Sequence, residues 1–347
     1  MENNCPLVSV VMPVRNEADF IERSLRSVFA QTYPHSAMEI IVADGCSEDT
    51  TVELIEAAKG ETDIDIMIVP NPDRIAPGGL NRAIAASKGS VVVRVDGHCE
   101  IDRAYVENCV RHLRSGKAEG VGGPIETIGE TPRAEAVAFA MSCRFGVGGS
   151  AFRTIDDREM YVDTVAFPGY LRETLDAAGP FNTELVRNQD DEFNYRIRKM
   201  GGRILLAPDI RSRYYSRSTL GSLWRQYFQY GFWKVRVLQL HPKQMSLRQF
   251  VPFVFVLAIA VLILSSSVST TARLGLGILA LAYLAACIIA AFGAHKRVAF
   301  TNLPVVLAAF PILHISYGLG FARGLVFFRR RWNDVALPSP NSKPASS

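Results

Sequence analysis

Two short stretches of this chain gather side chains that can move protons or hold a cation. The first is Asp96-Gly97-His98, which ends the valine-rich run Val91–Val95. A carboxylate in that place can bind a ribose hydroxyl or a divalent cation. The imidazole two residues on points to the same side of an extended chain, where it can ligate the cation or donate to a phosphate. Hard oxygen donors suit Mg2+ or Mn2+, which bridge protein and diphosphate more often than protein cages them. Taken alone, the triplet also reads as a surface Asp-Gly turn. The second stretch is Asn188–Phe193, with Asp190, Asp191 and Glu192 in succession. Acids at a helix start complement the helix dipole, and one of them can equally act as a general base. A base, together with a cation that neutralises a diphosphate leaving group, is the minimum for an inverting, single-displacement sugar transfer.

The elements around these groups decide whether they can meet. Leu7–Pro13, Glu39–Ala43, Ile64–Val69 and Ser90–Val95 are short apolar runs that suit buried strands. Helical stripes separate them, at Glu17–Gln31, through Leu54 and Ile55, and at Gly78–Ser87. This alternation predicts an α/β fold with an open, mostly parallel, Rossmann-like sheet and helices on both faces. Ligands bind such sheets at the carboxyl ends of the strands. Asp44 and Asp96 fall at two of those ends, which favours a site over a plain turn. At its strand end Asp44 can accept a hydrogen bond from a base N–H. Beyond residue 120, the pattern predicts a flexible glycine-rich loop at Gly146–Ser150, a strand over Tyr161–Phe167 and a helix over Asp190–Met200.

The last third is apolar. Ser218–Leu238 is amphipathic and aromatic, fitting a membrane interface or core packing alike. Phe250–Leu264 and Leu274–Phe292 carry no charge and are long enough to span or nearly span a bilayer. A third stretch, about Val298–Phe328, contains Pro304 and Pro311 and lies between His295-Lys296-Arg297 and Arg329-Arg330-Arg331. If both basic clusters face the cytoplasm, that stretch is re-entrant or interfacial; three crossings are the alternative. Four parts follow: a domain at 1–215, an interfacial segment at 216–248, a membrane segment at 249–330 and a disordered tail at 331–347. No signal peptide opens the chain, so the first domain is expected in the cytoplasm. The 6 cysteines form no CxxC pair, and the net charge of +4 gives no reason to expect nucleic acid. Between Arg187 and Arg248, however, 13 Lys/Arg stand against 4 acids, which suits anionic lipid or a pyrophosphate-bearing substrate. No GxGxxG follows the first strand, which removes a dehydrogenase.

Several of these stretches together resemble the family 2 glycosyltransferases of GT-A fold: VSVVMPVRNE, IIVADGCSEDTT, GGLNRAIAASKG, VVVRVDGHCEID and RNQDDEFNYRIRKMGG. The similarity runs from about Leu7 to the apolar segments. RQYFQYGFWK and HISYGLGFARG look most like membrane-attached exopolysaccharide enzymes of the succinoglycan type. The resemblance implies that Pro13 and Glu17 lie where the nucleotide is held and Asp44 where uracil is read. Asp96 corresponds to the first acid of the DxD motif, and His98 replaces the second. Asp190 corresponds to the base, with Asp191 as second choice; Gln189 replaces the usual preceding acid. Gln229 and Trp233 match the QxxRW spacing of processive synthases, but Phe232 stands in place of its arginine, which argues for one sugar per acceptor. Gly97 is expected to let the backbone approach the nucleotide, and Gly169 and the 146–150 loop to line the acceptor pocket. The expected partners are a UDP-sugar, most simply UDP-glucose, a lipid-diphosphate-linked saccharide and membrane lipid, with Mg2+ or Mn2+ as cofactor at the inner membrane. A polyprenyl-phosphate acceptor is the alternative; a degenerate GT-A membrane scaffold is another.

Overall fold

The computed structural model describes residues 5–216 and 219–333; the tail expected at Pro338–Ser347 lies outside them. The described chain divides into two compact units. One comprises 5–126 and 155–214, the other 127–154, 215–216 and 219–333.

The first unit opens with β1 (Val8–Val14), α1 (Ile21–Phe29), β2 (Met38–Asp44), α2 (Thr51–Ala58), β3 (Asp65–Pro70), α3 (Ala76–Ala86) and β4 (Val91–Arg94). It continues with β5 (Cys99–Ile101), α4 (Tyr105–Arg114) and β6 (Gly120–Gly123), and β7 (Ile125–Ile128) runs across the division. After the return at 155 come β8 (Met160–Tyr161), β9 (Ala166–Leu171), α8 (Arg172–Ala178), α9 (Gln189–Lys199), β10 (Ile204–Leu206) and β11 (Ser212–Tyr215). The main sheet has the order β3-β2-β1-β4-β9-β6-β10-β8. Its first half is parallel, and β9 runs antiparallel to both β4 and β6. β5 and β11 pair antiparallel beside it.

β1, β2 and β4 are β-branched runs buried on both faces, which is why they occupy the middle of the sheet. β1 lies between β2 and β4, so the chain winds outward in both directions from it. That switch point puts the ends of the three strands side by side. The strand expected over Tyr161–Phe167 is two pieces, with Phe167 at φ 48° just inside the second. Residues of strand-forming type run across that break, and the backbone bend does not show in their sequence.

The second unit is helical: α5 (Pro132–Ser142), α6 (Arg144–Val147), α7 (Ala151–Thr154), α10 (Leu220–Leu240), α11 (Val251–Ser266), α12 (Thr270–Phe292) and α13 (Leu303–Phe327). Residues 127–154 cluster with this unit. The cause lies in α5, whose alanines and valine are buried on several sides and pack on α13. The 146–150 stretch is not a simple loop: one-turn helices flank Gly148, which sits at φ 63°. α10 packs along α13 backbone to backbone, so it is a core helix of this unit as well as an aromatic one.

α12 and the Phe300–Phe327 segment are long and apolar enough to cross a membrane, whereas α11 at 16 residues is shorter. The apolar window of α12 is only 11% buried. Leu274, Ile278, Leu281, Ile289 and Phe292 project outward from it, a surface that water would not tolerate and that hydrocarbon would. This distinguishes α12 from the core helix of a soluble protein. α13 runs unbroken past both of its prolines. Pro304 lies in its first turn, where a missing N–H costs nothing, and Pro311 is carried within one continuous helix of 25 residues.

Candidate active site

The site begins at the end of β4. Arg94 closes the strand, buried to 6% exposure, and points its guanidinium at two carboxylates. Its Nε donates to Asp96 Oδ1 at 2.7 Å and its Nη2 to Asp96 Oδ2 at 3.0 Å. Its Nη1 donates to Oδ1 of Asp190. The structure thus brings together the strand-end acid and the helix-start acid, 96 positions beyond Arg94. Burial alone would lower the basicity of Arg94, but Asp190 and Asp96 outweigh it and keep the guanidinium charged.

Asp190 lies in the first turn of α9, and that helix is held from several sides. Phe193 stacks on Phe181 at 4.1 Å and meets Tyr170 edge-on at 5.4 Å. Tyr170 donates its hydroxyl to Asn194 Oδ1 at 2.6 Å, and Asn194 donates to Thr164 at 2.8 Å. Asn188 begins the helix in the left-handed region, at φ 64°, a conformation asparagine tolerates. The three acids have separate fates. Glu192 is buried against Arg196 at 2.9 Å, a structural i,i+4 pair. Asp191 is half-buried. Asp190 alone of the three reaches Arg94 among the described contacts. Although 29% of its side chain stays accessible, burial pushes its carboxyl above the ordinary value of 3.8. Arg94 pulls downward, and the charges of Asp96 and Asp191 add to the rise. A base with a raised pKa is better matched to neutral pH.

The turn after β4 is fixed by Ser24 of α1, whose hydroxyl donates to the Asp96 carbonyl at 3.0 Å. Gly97 faces the protein. A Cβ there would lie 2.9 Å from Glu17 Cγ and 3.2 Å from Val14 Cγ1, so glycine makes room for the Glu17 side chain. His98 Nδ1 lies 2.9 Å from Glu17 Oε1, and its ring meets Tyr214 edge-on at 5.2 Å. A carboxylate only accepts, so Nδ1 carries the proton in this pairing, and the neutral ring has its lone pair on Nε2. A carboxylate behind a ligating imidazole is a common support.

Asp44 ends β2 in register with Val14 and Pro70, and its carboxylate accepts from Ser47 N at 3.2 and 3.3 Å. Pro13 pairs with Ala43 one step earlier. The loops that follow β1 and β2 are laced together. Asn16 N donates to Ser47 Oγ at 2.9 Å, Glu17 N to Thr51 Oγ1 at 2.8 Å and Ala18 N to Asp49 Oδ2 at 3.1 Å. Pro13, Glu17, Asp44, Asp96, His98 and Asp190 therefore all belong to the first unit. Gly169 does not line an opening: it is buried in β9 opposite Val93 and Val121, with Cys109 above it. Gln229 and Trp233 share one face of α10 in the second unit. Gln229 is exposed, whereas Trp233 packs against Phe232 and Phe328.

Whether these residues suit a divalent cation can be tested on the donor set. Among the described residues, no three His, Cys, Asp or Glu side chains converge into a cage. Each Asp96 oxygen accepts one bond from Arg94 and keeps capacity for another. One carboxylate and one carboxylate-supported imidazole fit a cation whose other ligands are phosphate and water.

Arg94 and the loop lacing are what sequence reasoning missed. The one available signal for Arg94 was a charge inside a valine strand, which has to find a counter-charge.

The family model described as Glycosyl transferase family 2 matches residues 9–177. The chain is 30% identical to the succinoglycan biosynthesis protein ExoA of Rhizobium meliloti (strain 1021), over 93% of this chain and 96% of that one. It is 27% identical to a dolichyl N-acetyl-alpha-D-glucosaminyl phosphate 3-beta-D-2,3-diacetamido-2,3-dideoxy-beta-D-glucuronosyltransferase of Methanococcus voltae, over 92% and 97%. Among solved structures, the mannosyltransferase PcManGT of Pyrobaculum calidifontis, in complex with GDP-Man and Mn2+, superposes with a TM-score of 0.57 at 19% identity, covering 92% of this chain and 87% of that one. That likeness shows the GT-A fold, and the near full-length relative, with the family match over the strand ends that carry Asp44 and Asp96, places this chain in glycosyl transferase family 2.

Proposed function

We propose that the chain is an inverting hexosyltransferase, moving a sugar from a nucleotide donor, glucose from UDP-glucose in the simplest case, to a lipid-diphosphate-linked saccharide. The reaction serves surface-glycan or exopolysaccharide synthesis on the cytoplasmic side of the inner membrane. The observation that carries this reading is the Arg94 bridge, which sets a strand-end carboxylate and a helix-start carboxylate at one place. Pro13, Glu17 and Asp44 lie around the nucleotide. The succinoglycan relative supports the exopolysaccharide setting, and the Mn2+ of the superposed mannosyltransferase supports the cation.

In this mechanism Asp190 Oδ1 is held by Arg94, and Oδ2 takes the proton of the acceptor hydroxyl as that oxygen attacks the anomeric carbon. The bond from that carbon to the diphosphate oxygen breaks on the opposite face, which inverts the configuration. Asp96 and His98 would hold a divalent cation, Mg2+ or Mn2+, whose charge offsets that of the departing diphosphate.

The test uses membranes containing the full chain, native lipid extract and radiolabelled sugar nucleotides, with and without Mn2+ or Mg2+. Cation-dependent label in the butanol-extractable lipid is the expected result. No transfer from any donor would favour the scaffold.

The pH profile gives a second check. Asp190 must be deprotonated to act, and its folded value is raised, so kcat/KM should fall with decreasing pH at values above those of an ordinary aspartate. A profile that stays flat down to the ordinary aspartate range would remove Asp190 as the base.

A further inference from the structure

We propose that Arg94 is a positioning residue that ties the donor-side carboxylate Asp96 to the base Asp190, so that one buried side chain sets both ends of the transfer. The inference rests on the roles given to Asp96 and Asp190 above. Arg94 ends a central strand, flanked on its own strand by buried valines. An ionic network in such a place is often replaceable by apolar residues without loss of stability. Its presence in this strand therefore points to geometry more than to folding energy. The geometry is specific. The guanidinium fork engages both oxygens of Asp96, and the remaining terminal nitrogen engages Asp190. Only a planar fork can serve the two carboxylates at once; a lysine ammonium is a point charge on a flexible stem. The strand fixes Arg94 and α9 fixes Asp190, so any displacement of Arg94 moves the base relative to the sugar.

The experiment separates turnover from binding. Arg94→Lys should keep a cooperative thermal melt and lose about 100-fold in kcat, the effect of misplacing a reacting group by about 1 Å. Calorimetry with UDP and Mn2+ then reads the donor side without catalysis. Asp190→Asn should weaken UDP–Mn2+ binding by about threefold or more, because the neutral amide keeps the hydrogen bond but no longer shares the guanidinium charge, which then falls on Asp96 alone. In an Arg94→Met background the same change should alter binding by less than about 1.5-fold. Should Arg94→Met lose its cooperative melt, Arg94→Gln takes its place in the cycle. An equal Asp190→Asn effect in both backgrounds, or full turnover in Arg94→Lys, overturns the proposal. If the wild-type protein transfers no sugar, the functional reading fails while the binding cycle still decides on Arg94.

Discussion

Asp190→Asn should lower the turnover of sugar transfer by about 10²–10⁴-fold, the range general-base catalysis supplies, in a protein that stays folded and still binds UDP. The substitution is nearly isosteric. The asparagine Oδ1 can still accept from Arg94, so the contact that orients α9 toward β4 is retained. What disappears is the ability of the other oxygen to take a proton. Stability should change little, because burial already disfavours the charged form of this carboxyl. The measurement is single-turnover transfer of label, with the thermal melt of both proteins alongside. Equal transfer by variant and wild type would leave the family assignment standing and remove Asp190 as the base. A larger loss in Asp191→Asn than in Asp190→Asn would move the role one residue along the helix.

The parts of this site that could be read in the sequence were those encoded locally. Valine runs mark β1, β2 and β4, and a carboxylate at the end of such a run falls at a strand end whatever else the chain does. The strand-end positions of Asp44 and Asp96 could be argued from that alone. The pairing of Arg94 with Asp190 could not, because its partners are 96 positions apart and no periodicity links them. The Glu17–His98 pair was hidden for the same reason, and with it the Glu17 side chain that packs over Gly97. The helices show a related limit. Composition marks α13 as apolar, and its prolines leave its continuity open. Continuity is decided by the neighbours that pack against the turn at Pro311, and these do not appear in its own sequence.

The same limit hid a main-chain contact in the second unit, and a single methyl group should expose it. A Cβ on Gly320 would lie 2.0 Å from the carbonyl oxygen of Phe228, and one on Gly231 would lie 2.0 Å from that of Tyr317. These atoms are backbone and cannot swing aside. α10 and α13 therefore touch main chain to main chain, and Gly324, one turn beyond Gly320, meets the Phe232 carbonyl at 2.6 Å in the same way. Gly320→Ala forces the helices apart along a seam that includes Val235, Phe321 and Phe328. The expected cost is at the upper end of the about 1–3 kcal/mol seen for overpacked cores, or beyond it. In detergent the variant should melt at a clearly lower temperature than wild type. Gly277→Ala is the control: it lies on α12 with nothing within 4 Å of the added carbon, so its melt should match wild type or rise slightly through helix propensity. If Gly320→Ala melts with the control, α10 does not pack on α13 as described. The helix that carries Gln229 and Trp233 would then be free to lie in the membrane interface, as its aromatic face first suggested.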